Sequence, residues 1–219
     1  MSLNLFAHPL SSYCQKVFIA FYENETHFHL KMLSGDDAKT GREFAELWPI
    51  GRMPLLRDGD RTVVESTIII EHLSLHHPGP VQLIPSDPKA ALEARFMDRV
   101  FDNYIQTHQQ KVVFDALRPP EQRDPHGVAY ARGQLETSYR WLNNRMEGRV
   151  WAAGDSFSLA DCAAAPALFY ADWTQAIPVD LTHLHAYRAR LLKRPSFARA
   201  VDEARPYRHM FPLGAPDRD

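Results

Sequence analysis

The chain opens on a short apolar run, Leu3–Ala7, which closes at Pro9 and gives way to a helical pattern. Proline lacks the N–H that a sheet ladder needs, so the strand stops there. Ser11 and Ser12 follow, in the residue class that caps helix N-termini. Val17, Ala20 and Phe21 then recur at helical spacing, with Phe18 and Ile19 thickening the same face. Residues 27–32 alternate, with Phe28, Leu30 and Met32 on one side and His27, His29 and Lys31 on the other, which predicts a strand with one wet face. Residues 34–47 are mixed and polar and predict a loop with a short helix over 42–47, ended by Trp48-Pro49. Asp58-Gly59 marks a hairpin turn between strands over 55–57 and 62–64, with Pro54 at the start of the first. Ser66 is a second cap, ahead of a helix that carries Ile68, Ile69, Ile70 and Leu73.

The order β-α-β-(α)-β-β-α implies a parallel pair with a right-handed crossover and an antiparallel hairpin, hence a small mixed sheet with helices packed on it. Its two serine-bearing helix starts are expected near one end of the sheet. Residues 76–88 hold four prolines and one glycine and form the best linker in the chain. The expected division is a sheet-containing domain over 1–77, a linker over 78–87 and an all-α domain over 88–219. Asp87-Pro88 reads as cap and first-turn proline of a long helix reaching about residue 117. Pro119, Pro120 and Pro125 break the pattern before a second helix marked by Val128, Ala131, Leu135, Leu142 and Met146. Ser158 and Asp161 fit a capping box ahead of a third helix to about Trp173, in which Pro166 predicts a kink. Shorter helices are expected over 182–192 and 195–204, with Tyr207, Met210 and Phe211 available to pack the tail.

Composition narrows the function classes. A net charge of −2 gives no basic field for nucleic acid or an anionic membrane. No apolar run approaches the roughly 20 residues of a membrane span, and the N-terminus lacks a signal-peptide pattern. Two distant cysteines, Cys14 and Cys162, make no disulfide framework and suit a reducing cytoplasm. The eleven histidines include the near neighbours His76 and His77, but no H-E-x-x-H pattern and no adjacent cysteine pair, so no metal is expected.

The chemistry starts at the strand-to-helix handover. Free backbone N–H groups and the positive end of the helix dipole meet there, and such a place favours an anion. A thiolate is one. The segment Ser11-Ser12-Tyr13-Cys14-Gln15-Lys16-Val17 resembles the serine-type active-site segment of the glutathione S-transferase superfamily, in its zeta and theta groups. Met53-Pro54 is similar to the family's cis-proline, and Glu65-Ser66 to its acidic-serine pair ahead of a helix. The run from Trp151 through Gly154-Asp155 to Asp161 is similar to its capping-box signature. The resemblance spans nearly the whole chain and implies a thioredoxin-like mixed-sheet domain followed by an all-α domain.

The resemblance also implies roles. Ser11 donates a hydrogen bond to the glutathione sulfur, with Ser12 as the alternative donor. The Met53 backbone, ahead of Pro54, pairs with the cysteinyl part, and Glu65 and Ser66 hold the γ-glutamyl end. Arg52, with Lys39 and Arg42, is a candidate for the glycine carboxylate. A second-substrate pocket between the domains draws on Tyr13, Tyr104, His108 and Phe114. Glutathione is then the co-substrate, a small electrophile the other substrate, detoxification the implied setting and a homodimer the implied assembly. With serine at position 11, a Cys-x-x-Cys dithiol cycle is excluded. Two further readings stay open: a glutathione-dependent isomerase acting on a maleylacetoacetate-like substrate, and a non-catalytic glutathione-binding or regulatory protein on the same fold.

Overall fold

The computed structural model describes residues 2–219. Four strands, β1 (Leu3–Ala7), β2 (His29–Met32), β3 (Leu55–Asp58) and β4 (Arg61–Val64), form one mixed sheet in the order β2-β1-β3-β4. β1 pairs parallel with β2 and antiparallel with β3, and β3 pairs antiparallel with β4. The Asp58–Arg61 pairing leaves Gly59-Asp60 as a two-residue turn, one residue later than Asp58-Gly59 suggests. Helix α1 (Ser12–Glu23) links the parallel pair, α2 (Ala38–Leu47) connects β2 to β3, and α3 (Ser66–His76) follows β4.

The remainder is helical. A long run begins at α4 (Pro88–Val100), passes through a π-helical segment over Phe101–Gln106 and ends with α5 (Thr107–Ala116). It is followed by α6 (Pro125–Arg145), α7 (Leu159–Thr174), α8 (Thr182–Leu192) and α9 (Pro195–Ala204). Helix α7 continues unbroken across Pro166. Among the described residues no helix is long and apolar enough to cross a membrane.

Two helices start earlier than the hydrophobic pattern predicts, for one reason. Asp37 accepts from the N–H groups of Lys39 and Thr40 and starts α2 at Ala38, not near residue 42. Asp124 accepts from the Gly127 N–H, so Pro125 is the first residue of α6 and not a breaker. At α3 the cap position belongs to Glu65, and Ser66 is the first helical residue. The predicted alternation does not appear in β2, where His29 and Leu30 are both exposed and Lys31 and Met32 both half-buried, because β2 is the sheet's edge.

One continuous apolar core joins both halves. Val17, Phe18, Ile19, Ala20 and Phe21 are all buried, since α1 lies between the sheet with α3 on one side and α7 with α9 on the other. That explains the apolar residues beyond one helical stripe. Lys16 is buried with them, and its ammonium reaches Asp98 at 2.5 Å and Asp102 at 2.8 Å on the long helical run. At the head of α7, Asp161 is fully buried. Its carboxylate accepts from the N–H groups of Ala152 and Ser158 and from the hydroxyls of Ser158 and Tyr187.

Candidate active site

A cavity of about 640 Å³ lies where the sheet's helix-bearing end meets the long helical run. Three junctions of the N-terminal half supply one wall: Leu10, Ser11, Ser12 and Tyr13 from the β1–α1 turn, Gly51 to Pro54 ahead of β3, and Glu65 and Ser66 between β4 and α3. The opposite wall carries Arg99, Asp102, Asn103, Gln106, Val113 and Phe114, and Phe211 closes one side.

Ser11 is the N-cap of α1, with an extended backbone and a half-exposed side chain. Its hydroxyl oxygen accepts from the Cys14 N–H at 3.4 Å, and the residue lines the cavity. The N–H groups of Ser12 and Tyr13 have no partner among the described residues, so the dipole end of α1 faces the same space. Ser12 differs. It is buried, and its oxygen accepts from the Gln106 amide at 2.5 Å, across the two halves. Cys14 is fully buried, and desolvation pushes its thiol up to about 11 even though the Ser11 hydroxyl and the His8 backbone oppose the shift.

The Met53–Pro54 peptide bond is cis, and Met53 is half-buried at the cavity wall. Gly51 turns the chain there with φ +70°, a conformation that costs glycine little. Glu65 also sits at φ +70°, without that freedom. A left-handed backbone at a non-glycine residue costs on the order of 1–3 kcal/mol and clusters at binding sites. Its carboxylate is exposed and faces the cavity beside the buried Ser66 hydroxyl at the start of α3.

The far wall carries more polar groups than the apolar pattern reveals. Arg99 Nη2 lies 2.7 Å from Asp98 Oδ2 and 2.5 Å from Asp102 Oδ2, while Lys16 holds the same two carboxylates from below. Burial nonetheless pushes the Asp102 carboxyl up. Burial, reinforced by Asp102, also pushes up the Tyr13 hydroxyl, which keeps it protonated. Arg99, Asp102, Asn103, Gln106 and Gln110 fall at helical spacing along one stripe, a signal present in the sequence that the pattern of apolar positions does not single out. The π turn, with its wider ladder, lies within the stripe; such turns recur at functional sites.

The structure brings together Ser11, Ser12, Tyr13, Arg52, Met53, Pro54, Glu65, Ser66 and Phe114. It does not bring Tyr104 or His108 to the cavity. Both lie on the side of the long run that faces α6, where the Ser138 hydroxyl donates to the Tyr104 carbonyl and the His108 ring sits edge-on to Tyr130. Lys39 and Arg42 are exposed on α2 and do not line the cavity either. Away from it, the fold gathers Asp58, His72 and His77, a set that sequence spacing does not show.

Comparison with known proteins agrees with this arrangement. The model of the glutathione S-transferase N-terminal domain matches residues 5–81, and that of the C-terminal domain matches residues 106–195. The chain belongs to the glutathione S-transferase superfamily. It is 26% identical over 211 residues to a glutathione S-transferase of Hyoscyamus muticus, covering 92% of this chain and 99% of that one. It is also 26% identical over 210 residues to a stringent starvation protein A homolog of Pasteurella multocida, at 93% and 92% coverage. Among solved structures, a Methylobacillus flagellatus glutathione S-transferase with glutathione bound superposes with a TM-score of 0.82 at 25% identity, covering 91% of this chain and 98% of that one. The sheet half and the helical half are thus the two domains of the superfamily.

Proposed function

We propose that this protein binds glutathione in the cavity and presents its thiol as a thiolate to a small electrophile. The observation that carries the reading is the Ser11 hydroxyl, half-exposed at the N-terminus of α1 on the cavity wall it shares with Met53, Glu65 and Ser66. Ser11 donates to the sulfur. The Met53 backbone pairs with the cysteinyl part, Glu65 receives the γ-glutamyl ammonium and Ser66 its carboxylate. Arg52 stands on the same wall for the glycine carboxylate. The thiol proton leaves to solvent, and the sulfur lone pair forms the new bond to the electrophile as a leaving group departs with its electron pair or a polarised double bond opens and takes a proton from solvent. Tyr13 and Phe114 face the space left for that second substrate.

The energies suffice. Lowering a thiol pKa by about 2 units takes about 2.7 kcal/mol. A hydrogen bond to a charged group supplies roughly 1.5–3 kcal/mol and a helix end about 0.3–1 kcal/mol. Ser11 is favoured over Ser12 because its side chain is half-exposed at the cavity, whereas that of Ser12 is buried against Gln106. The protein is further proposed to work in the cytoplasm as a homodimer.

The deciding experiment titrates the thiol of bound glutathione by its ultraviolet thiolate absorbance in the parent, Ser11→Ala and Ser12→Ala. The parent is expected to hold the thiol about 2 units below its free value. Ser11→Ala is expected to return it by about 1–2 units and to lower kcat/KM about 10–100-fold. A depressed pKa that only Ser12→Ala restores moves the role to Ser12. Tight binding with an unshifted thiol leaves a glutathione-binding protein without this chemistry. Product analysis then separates conjugation, which consumes glutathione, from isomerisation of a maleylacetoacetate-like substrate, which regenerates it.

A further inference from the structure

β3 and α3 both begin at the cavity and both run away from it. β3 leaves the wall after Pro54 and ends at Asp58, and α3 leaves it at Ser66 and ends at His76. With 11 residues, α3 carries the chain about 16 Å. At that remote end a single carboxylate oxygen, Asp58 Oδ2, lies 2.9 Å from His72 Nε2 and 2.7 Å from His77 Nε2. One ligand atom from each of the three side chains falls within 4.8 Å of the others. His72 is buried, while Asp58 and His77 keep 14% and 28% of their side-chain surface in contact with solvent.

The backbone departs from the helix to make this meeting. Residues five apart on an α-helix are separated by about 140° around the axis and do not share a face. His77 joins His72 because α3 stops at His76 and the next residue turns out of the helix, with φ −136° and ψ 55°. His76, whose ring lies beside that of His72, is held by Arg61 at 3.2 Å and stays outside the set.

We propose that Asp58, His72 and His77 bind one divalent transition-metal ion of the zinc class, with water completing the coordination. Two imidazole nitrogens and one carboxylate oxygen are a fitting donor set for such an ion, and three protein ligands leave a position open to solvent. Bond lengths of about 2.0–2.2 Å place tetrahedral ligand atoms about 3.4 Å apart, so the present Nε2–Oδ2 separations of 2.9 and 2.7 Å need to open by about 0.5 and 0.7 Å. On binding, each imidazole gives up the proton on Nε2 and carries one on Nδ1, so that the Nε2 lone pair faces the ion. The ion fastens the hairpin to the end of α3 and touches nothing in the cavity, so its role is structural.

The test uses the untagged full chain, stripped with a chelator and titrated with Zn2+ by calorimetry and with Co2+ by visible absorption. The expected result is one ion per chain, Co2+ bands of the intensity that four-coordinate sites give, and a melting temperature about 5 °C or more higher at saturating Zn2+. All three are expected to vanish in His77→Ala and in the near-isosteric Asp58→Asn, while glutathione-dependent activity is retained. Failure of the parent to bind one equivalent overturns the site. So does undiminished binding in Asp58→Asn, which places the ion on other histidines.

Discussion

Cys14 lies one turn into α1 with no exposed surface, and its thiol is pushed up to about 11 from an ordinary value near 9. A raised thiol pKa in the folded chain means that the unfolded chain ionises first. Stability is then intact below pH 9 and falls as pH rises toward 11. The gap of about two units corresponds to about 2.7 kcal/mol. Urea titrations at pH 8 and pH 10.5 are expected to show about two-thirds of this loss, and Cys14→Ala is expected to reduce the difference between the two pH values. An unchanged difference assigns the alkaline loss to other groups, such as the buried tyrosines. The same burial makes Cys14 a poor nucleophile at neutral pH, although it stands next to the proposed centre. At this scale the sequence was informative about residue types at element junctions, which is why Ser11, Met53, Glu65 and Ser66 share one wall. It was uninformative about side-chain direction on the long helical run, where Tyr104 and His108 fall on the α6 side. A mixed polar and apolar helix has two buried faces here, and periodicity alone does not say which one borders a cavity.

Among the elements, α7 depends most on one side chain. Asp161 ties the N-terminus of that helix to the Ala152 loop and to Tyr187 of α8, all without solvent. Burial pushes its carboxyl up, and four donors hold it against that cost. Asp161→Ala strands those donors, and at about 1–3 kcal/mol for each unsatisfied group the loss is expected to reach about 3–5 kcal/mol. Chemical denaturation of the variant measures it; a loss below about 1 kcal/mol removes Asp161 from this role. The Ser158–Asp161 spacing announced this cap, whereas the caps at Asp37 and Asp124 were hidden by the polar loops and prolines around them. The π turn over Phe101–Gln106 left no mark on the hydrophobic pattern at all, since its buried residues still recur at near-helical spacing.

Over the whole molecule, the division into a sheet half and a helical half was readable because prolines concentrate between α3 and α4. The surface between the halves was not. Beside the apolar side chains of α1 and α7 it holds Lys16 with Asp98 and Asp102, charges that a pattern of apolar positions assigns to solvent. A second surface concerns assembly. Leu92 and Phe96 on α4 stay exposed, and Phe96 meets the exposed Trp141 of α6 edge-on. Sedimentation equilibrium is expected to give twice the mass of one chain, and Phe96→Glu on this face is expected to shift it toward one. A parent that sediments as a single chain overturns the dimer.

The continuous core has a consequence for protein engineering. Helix α1 belongs to the sheet half by sequence, yet the helical half covers one of its two buried sides. A gene cut in the linker would leave the side of α1 that meets α7 and α9 facing water on one fragment and the matching side of α7 bare on the other. Neither piece can serve as a transplantable module, so chimaeras with other transferases must exchange α1 and α7 together.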